Sequence, residues 1–297
     1  MAHTRFRNDR GLTARMALVG FLLVALYLAV VAALIAYGLP TVFVVLIAVG
    51  VGWGQWYFSD SVAMKAMRAR EVTPEQAPEL HGVVDRLCAL ADMPKPRVAV
   101  ADTDIPNAFA TGRSPSHSVV CVTTGLLRRL DAEEIEGVLG HELAHVAHRD
   151  VSVMTVASTL GVLAGLIMRW GLYFGGGGRD RNNAMVFLAV WVASIAVYLI
   201  SFLLTRALSR YRELSADRSA AYLTGRPSSL ASALTKISGD MARIPTRDLR
   251  QAEPVSAFLF APALNKQSFT ALFSSHPSLD VRLEQLAKVS ADLGRQV

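Results

Sequence analysis

The sequence predicts an integral membrane protein, mainly α, with four transmembrane helices and an α+β domain that carries a small sheet. Three observations lead there. Hydrophobic residues make up 52% of the 297-residue chain and charged residues only 18%, a balance too apolar for an ordinary soluble enzyme. No charged residue occurs from Met16 to Ser59. Later, His141-Glu142-Leu143-Ala144-His145 sets two imidazoles one helical turn apart with a carboxylate beside them, a pattern suited to one metal ion.

The charge-free run is interrupted at Tyr37-Gly38-Leu39-Pro40, so it reads as two spans, about 16–37 and 41–58, within an N-terminal unit 1–59. Its first stretch is too long for the core of a secretory signal, and a second span follows at once, which predicts an uncleaved anchor. Two further apolar runs, 151–168 and 184–204, form a second hairpin, 151–204, whose turn is rich in glycine from Gly175 to Gly178. Gly161 and Gly165 give its first arm a small-residue face suited to helix packing. Residues 60–150 and 205–297 are then the two parts of one discontinuous domain.

Orientation follows from basic residues. Arg5, Arg7, Arg10 and Arg15 precede the first span and Lys65, Arg68 and Arg70 follow the second, which places the N-terminus and the domain in the cytoplasm. Arg169, Arg179 and Arg181 argue the other way, but the first hairpin usually dominates. Cys88 and Cys121 lack metal-ligand spacing and are expected as free core thiols in a reducing compartment. The pI near 9.6 comes from scattered arginines without stacking aromatics, which predicts membrane lipid headgroups as counterpart and no nucleic acid.

Within the domain, Glu79 to Asp92 reads as an amphipathic helix, and Arg97 to Ala101 and Ser118 to Thr123 as strands. The metal motif lies on a helix from about Ala132 toward His148, with Asp131 as N-cap, Glu134 completing a capping box, and Leu130 with Ile135 as a hydrophobic staple. Glu133, Glu134 and Glu136 are expected to serve the helix start rather than chemistry. Thr205 to Leu223, Ser229 to Met241 and Ser278 to Val289 read as further helices. Residues 242–268, with three prolines and Phe258-Leu259-Phe260, read as an irregular lid or membrane-facing loop, with core packing as the alternative.

Residues i and i+4 share a helix face, so His141 and His145 reach one Zn2+ ion while Glu142 reaches a water beside it. A catalytic zinc needs a third protein ligand and an open fourth position. On a helix continuous with the third span, His145 and His141 lie roughly 9 and 15 Å from the membrane surface. The chain returning from Leu204 reaches that depth after about nine residues, at Glu213. Asp217, one turn on, is placed to accept the second N–H of a ligand imidazole. His148 is the rival ligand, but three ligands along one straight helix do not surround a tetrahedral ion. The alternative for Glu213 and Asp217 is a solvated face paired with Arg210, Arg212 or Arg218.

Thr124-Gly125-Leu126-Leu127, Glu133 to Gly140, the His-Glu-Leu-Ala-His segment, Arg149-Asp150 and Arg212-Glu213-Leu214-Ser215-Ala216-Asp217 together resemble the HtpX family of membrane zinc metalloproteases, relatives of the Ste24 CAAX-prenyl proteases. The resemblance covers nearly the whole chain. It implies a zincin-like peptidase domain with Glu213 as third zinc ligand. Pro106 to Gly112 resembles the family's substrate-lining edge strand, implying that Asn107, Ala108 and Phe109 pair with a peptide by strand addition. His276-Pro277 and Arg282 resemble the family's late motif, which implies that His276, with Arg282, stabilises the tetrahedral intermediate. From the residues alone, His276 with Pro277 reads equally as a helix start.

The expected function is a zinc-dependent endopeptidase with Glu142 as general base, at the cytoplasmic face of a bacterial plasma membrane; the resemblance implies that it acts on misfolded or damaged membrane proteins. A CAAX-type processing protease is the enzymatic alternative, though that resemblance predicts about seven spans rather than four. A catalytically silent, zinc-stabilised membrane scaffold is the other alternative, but a closed structural site needs a fourth protein ligand.

Overall fold

The structure, a computed structural model, describes residues 10–36, 41–155, 157–159, 161, 181–243 and 277–294. It is mainly helical around one small mixed sheet. Two long apolar helices come first, α1 (Arg10–Ala36) and α2 (Thr41–Tyr57), then the short α3 (Ser59–Ala66). Phe21 on α1 and Val42 on α2 are each 69% exposed, an outward apolar display that water does not favour and lipid does. Strand β1 (Ala69–Glu71), α4 (Pro78–Ala91) and strands β2 (Arg97–Ala101), β3 (Ala108–Ser114) and β4 (His117–Thr123) follow. Then come α5 (Thr124–Arg129), α6 (Ala132–Ala147), the 44-residue α7 (Arg181–Thr224), α8 (Pro227–Arg243) and α9 (Leu279–Gly294).

The sheet order is β1-β2-β4-β3, with β2 and β4 parallel and the outer pairs antiparallel. Its alternating side chains feed two cores. Val98, Val100, Val120 and Val122 pack with Leu87, Leu139, Leu143, Leu223, Leu234 and Leu286 from the helices. Ala99, Ala101, Val119, Cys121 and Phe109 face the other way, against Ala63 and Met64 of α3. Both faces are covered, so β4 is an almost unbroken apolar run rather than a half-polar one. At the end of β3, Gly112 has φ +143°, and a Cβ there would lie 2.2 Å from the His117 carbonyl oxygen, so only glycine serves that bulge.

Among the described residues one helix is long and apolar enough to cross a membrane, Trp191–Thr224, with mean hydropathy 1.8. It is packed against α1 and the start of the third apolar run through Val19, Leu23, Ala157 and Leu208. The expected run 151–168 is helical over 150–155, 157–159 and 161, and its remainder lies outside the described residues. So do the glycine-rich turn and residues 244–268 of the expected lid.

One expectation needs correction. The metal-motif helix is not continuous with the third apolar run: α6 ends at Ala147 with His148 as C-cap, residues 148–149 form a turn, and helix resumes at Asp150. Arg149 has φ +55°, and one left-handed residue is enough to end an α-helix and redirect the chain.

Candidate active site

The frame of the site is the first turn of α6. Asp131 Oδ1 accepts the Glu134 N–H at 2.9 Å while Glu134 Oε2 accepts the Asp131 N–H at 3.0 Å, closing the expected capping box. The Glu134 carboxylate also receives Ser232 Oγ–H at 2.6 Å and Lys236 Nζ at 2.7 Å from α8. Glu133 pairs with Arg226 at 2.8 Å and Glu136 with Arg86 at 2.8 Å, so all three acidic residues hold α6 to its neighbours. A Cβ on Gly137 would stand 3.1 Å from the Leu230 backbone; the absent side chain lets α6 and α8 approach closely.

One turn later the donor atoms converge. His141 Nε2 lies 3.0 Å from His145 Nε2, His145 Nε2 is 3.2 Å from Glu213 Oε1, and His141 Nε2 is 3.7 Å from Glu213 Oε2. Ligand bonds of about 2.0–2.1 Å at tetrahedral angles separate donors by about 3.3 Å, so this group fits one such ion. The rings are nearly perpendicular, at 86°. Each Nδ1 faces a carboxylate: His141 Nδ1 lies 2.8 Å from Asp217 Oδ1, and His145 Nδ1 is hydrogen-bonded to Asp150 Oδ2. A carboxylate there requires the proton on Nδ1, which leaves both Nε2 lone pairs pointing at the same space.

Burial pushes the His141 imidazole down to about 4, with Asp217 opposing it, so the ring is neutral near pH 7 and able to ligate. Burial acts against the Asp217 carboxylate too, but the Arg282 guanidinium more than offsets it and holds the group below its ordinary value. Arg282 Nε and Nη2 donate to the two Asp217 oxygens at 2.7 and 2.6 Å, a bidentate pair. Arg212, from α7, is ion-paired to Asp150. Each imidazole is thus backed by an aspartate, and each aspartate by an arginine.

Glu142 lies beside this group at the foot of a cavity of about 500 Å3, lined by β3 from Ala108 to Gly112, by His141, His145 and Glu213, and by Gln55, Thr155 and Ser158. Burial pushes its carboxyl up to about 8, with His145 opposing and Glu213 adding; the Ala110 N–H donates to it. β3 has β4 on one side and, among the described residues, no strand on the other. The Asn107 N–H and C=O both bond Thr123, each at 2.9 Å. Backbone groups alternate sides along a strand, so Ala108 and Ala110 turn theirs away from β4, the Ala110 N–H toward Glu142.

The structure therefore brings together His141, Glu142, His145, Glu213, Asp217 and Arg282. Arg282 lies behind His141, its Nη2 3.5 Å from Nδ1 and its Nη1 3.9 Å from Glu213, and does not line the cavity. Of the expected strand residues, Ala108 and Phe109 line the cavity and Asn107 is fully buried behind it. Exposed His148 is outside the donor group, and His276 lies outside the described residues. The sequence placed Asp150 in a family motif, Ala110 in the edge strand and Arg212 as an alternative partner of Glu213 or Asp217, but gave none of the three the contact it makes here, with His145, Glu142 and Asp150 respectively. The strand alternation was the available signal for Ala110, whereas Asp150 and Arg212 depend on the corner at Arg149.

Two imidazoles and a glutamate from a second helix, beside a further glutamate and an open strand edge, define a metallopeptidase of the His-Glu-x-x-His class. Residues 74–290 match Peptidase family M48, and the chain belongs to that family. It is a membrane metallopeptidase of the HtpX type, acting on polypeptides. It is 59% identical over 294 residues to Protease HtpX homolog 1 of Streptomyces coelicolor, covering 98% of this chain and 97% of that one. Protease HtpX homolog of Moorella thermoacetica is 54% identical, over 96% of this chain and 97% of its own. The crystal structure of S. mikatae Ste24p aligns with 89% of this chain and 67% of that chain, at TM-score 0.48 and 17% identity.

Proposed function

We propose that this chain is a zinc endopeptidase with four spans, about 16–37, 41–58, 151–168 and 184–204, set in a bacterial plasma membrane. Its peptidase domain, 60–150 with 205–297, faces the cytoplasm and cleaves misfolded or damaged membrane proteins. The observation that supports this best is the convergence of His141, His145 and Glu213, with donor atoms 3.0–3.7 Å apart, beside Glu142 and an open strand. Basic residues flanking the first hairpin support the orientation. Membrane-protein quality control rests on the HtpX resemblance.

A bound Zn2+ supplies Lewis acidity and acidifies a water. The remaining work belongs to side chains. The outward backbone groups of Ala108 and the Ala110 carbonyl pair with the substrate chain and hold its scissile bond over Glu142, to which the Ala110 N–H donates. Glu142 takes the proton of the attacking water and passes it to the departing amine. Its buried setting suits this shuttle because a carboxyl shifted toward neutrality both accepts and returns a proton. Asp217, braced by Arg282, keeps the His141 proton on Nδ1. His276 stabilises the oxyanion, a role that the family resemblance implies.

Glu142→Gln tests the reading. The protein in detergent is expected to keep its zinc while cleavage of casein falls by at least 100-fold. Normal turnover by this variant would remove Glu142 from the mechanism.

A further inference from the structure

We propose that Asp150, braced by Arg212, is the positioning residue of His145, so that the second pair of apolar runs sets the orientation of one metal ligand. The inference rests on the reading of His141, His145 and Glu213 as the ligands. In a continuous helix, positions i and i+5 lie about 140° apart and their side chains do not meet. The left-handed Arg149 breaks α6 and restarts helix at Asp150, and the corner returns the Asp150 carboxylate to His145 Nδ1. Asp150 is 8% exposed and Arg212 3%, so the contact is shielded from water. Arg212 directly precedes Glu213 on α7, and the same helix that carries the ligand carboxylate also neutralises Asp150.

The chemistry is a proton held in place. A carboxylate on Nδ1 fixes the tautomer that leaves the Nε2 lone pair toward Glu213 Oε1, 3.2 Å away. A buried carboxylate stays ionised only beside a compensating charge, which the guanidinium of Arg212 provides. The two imidazoles are therefore steadied from different directions. Asp217 on α7 and Arg282 on α9 hold His141, whereas His145 is held by Asp150, which heads the helix leading into the third apolar run, and by Arg212, on the same α7 as Asp217.

The test uses the full chain in detergent, measuring zinc affinity by competition with a chelator and the 15N shifts of the His145 ring in zinc-free protein. Asp150→Ala is expected to weaken zinc roughly 10 to 100-fold and to move the His145 shifts toward a tautomer mixture. Asp150→Asn, whose amide oxygen still accepts from Nδ1–H, recovers part of both. Because Asp150→Ala leaves Arg212 buried without its partner, the double variant Asp150→Ala/Arg212→Met is measured beside it and should show the same loss in a folded protein. Wild-type affinity and unchanged shifts in the double variant would overturn the proposal. His145→Ala separates the two readings: if it keeps wild-type zinc affinity, the ligand assignment itself is wrong; if it loses zinc while Asp150→Ala does not, only the positioning role fails.

Discussion

At the scale of single residues, the proposed roles divide groups that would hold a metal from one that would move a proton, and this division is measurable. Glu213→Ala leaves two donors, so it is expected to lose zinc and cleavage together, unlike Glu142→Gln. Asp217→Ala keeps all three donors but releases the His141 Nδ1 proton, and should weaken zinc by roughly 10 to 100-fold. A chelator titration ranks the variants; Glu213→Ala binding zinc as tightly as wild type would sink the ligand assignment. Glu213 was legible in the sequence from depth along the returning helix, even though the helix assumed on the outgoing side proved to be broken. A turn at residues 148–149 shifts α6 without removing His141 and His145 from the level that α7 reaches nine residues after Leu204.

At the scale of elements, α6 was the most legible part because its start is written in local chemistry. Asp131 and Glu134 announce a capping box and the structure has one. The added contacts of Glu134 with Ser232 and Lys236 come from α8, about a hundred residues later, and no local pattern reveals them. Glu134→Ala is expected to cost about 2 kcal/mol, from the lost cap and the unpaired partners, seen as a lower midpoint in chemical denaturation. Burial acts against the Glu134 carboxylate, but Lys236, Ser232 and the Asp131 N–H hold its folded-state value below 4.5. Its ionisation thus stabilises the fold above that value, and the contribution fades as pH falls through the folded-state value. The gap between wild type and variant should narrow in that window; a gap that widens on acidification would contradict the assignment. The corner after α6 was not legible, since arginine gives no sign of a left-handed φ as glycine would.

At the scale of the whole molecule, apolar runs located the long helices, while the way they meet the peptidase helices was beyond any periodicity. The cluster of Val19 and Leu23 with Ala157 and Leu208 joins three separate helical segments, and only packing specifies it. The proposed topology makes a direct prediction: reporters fused at residue 70 and in the turn at Gly175 should work on opposite sides of the membrane, with residue 70 active only for a cytoplasm-specific reporter. A periplasm-specific reporter working at residue 70 would invert the orientation.

The placement of the donors on the two sides of the second pair of apolar runs also sets a timetable for the enzyme. A chain emerging from the ribosome exposes His141, Glu142 and His145 well before Glu213 has been made, and the three meet only when α7 has returned against α6. Until then the nascent protein carries only two of the three donors, so the group that could hold a metal ion is complete only once both sides of the hairpin have been made.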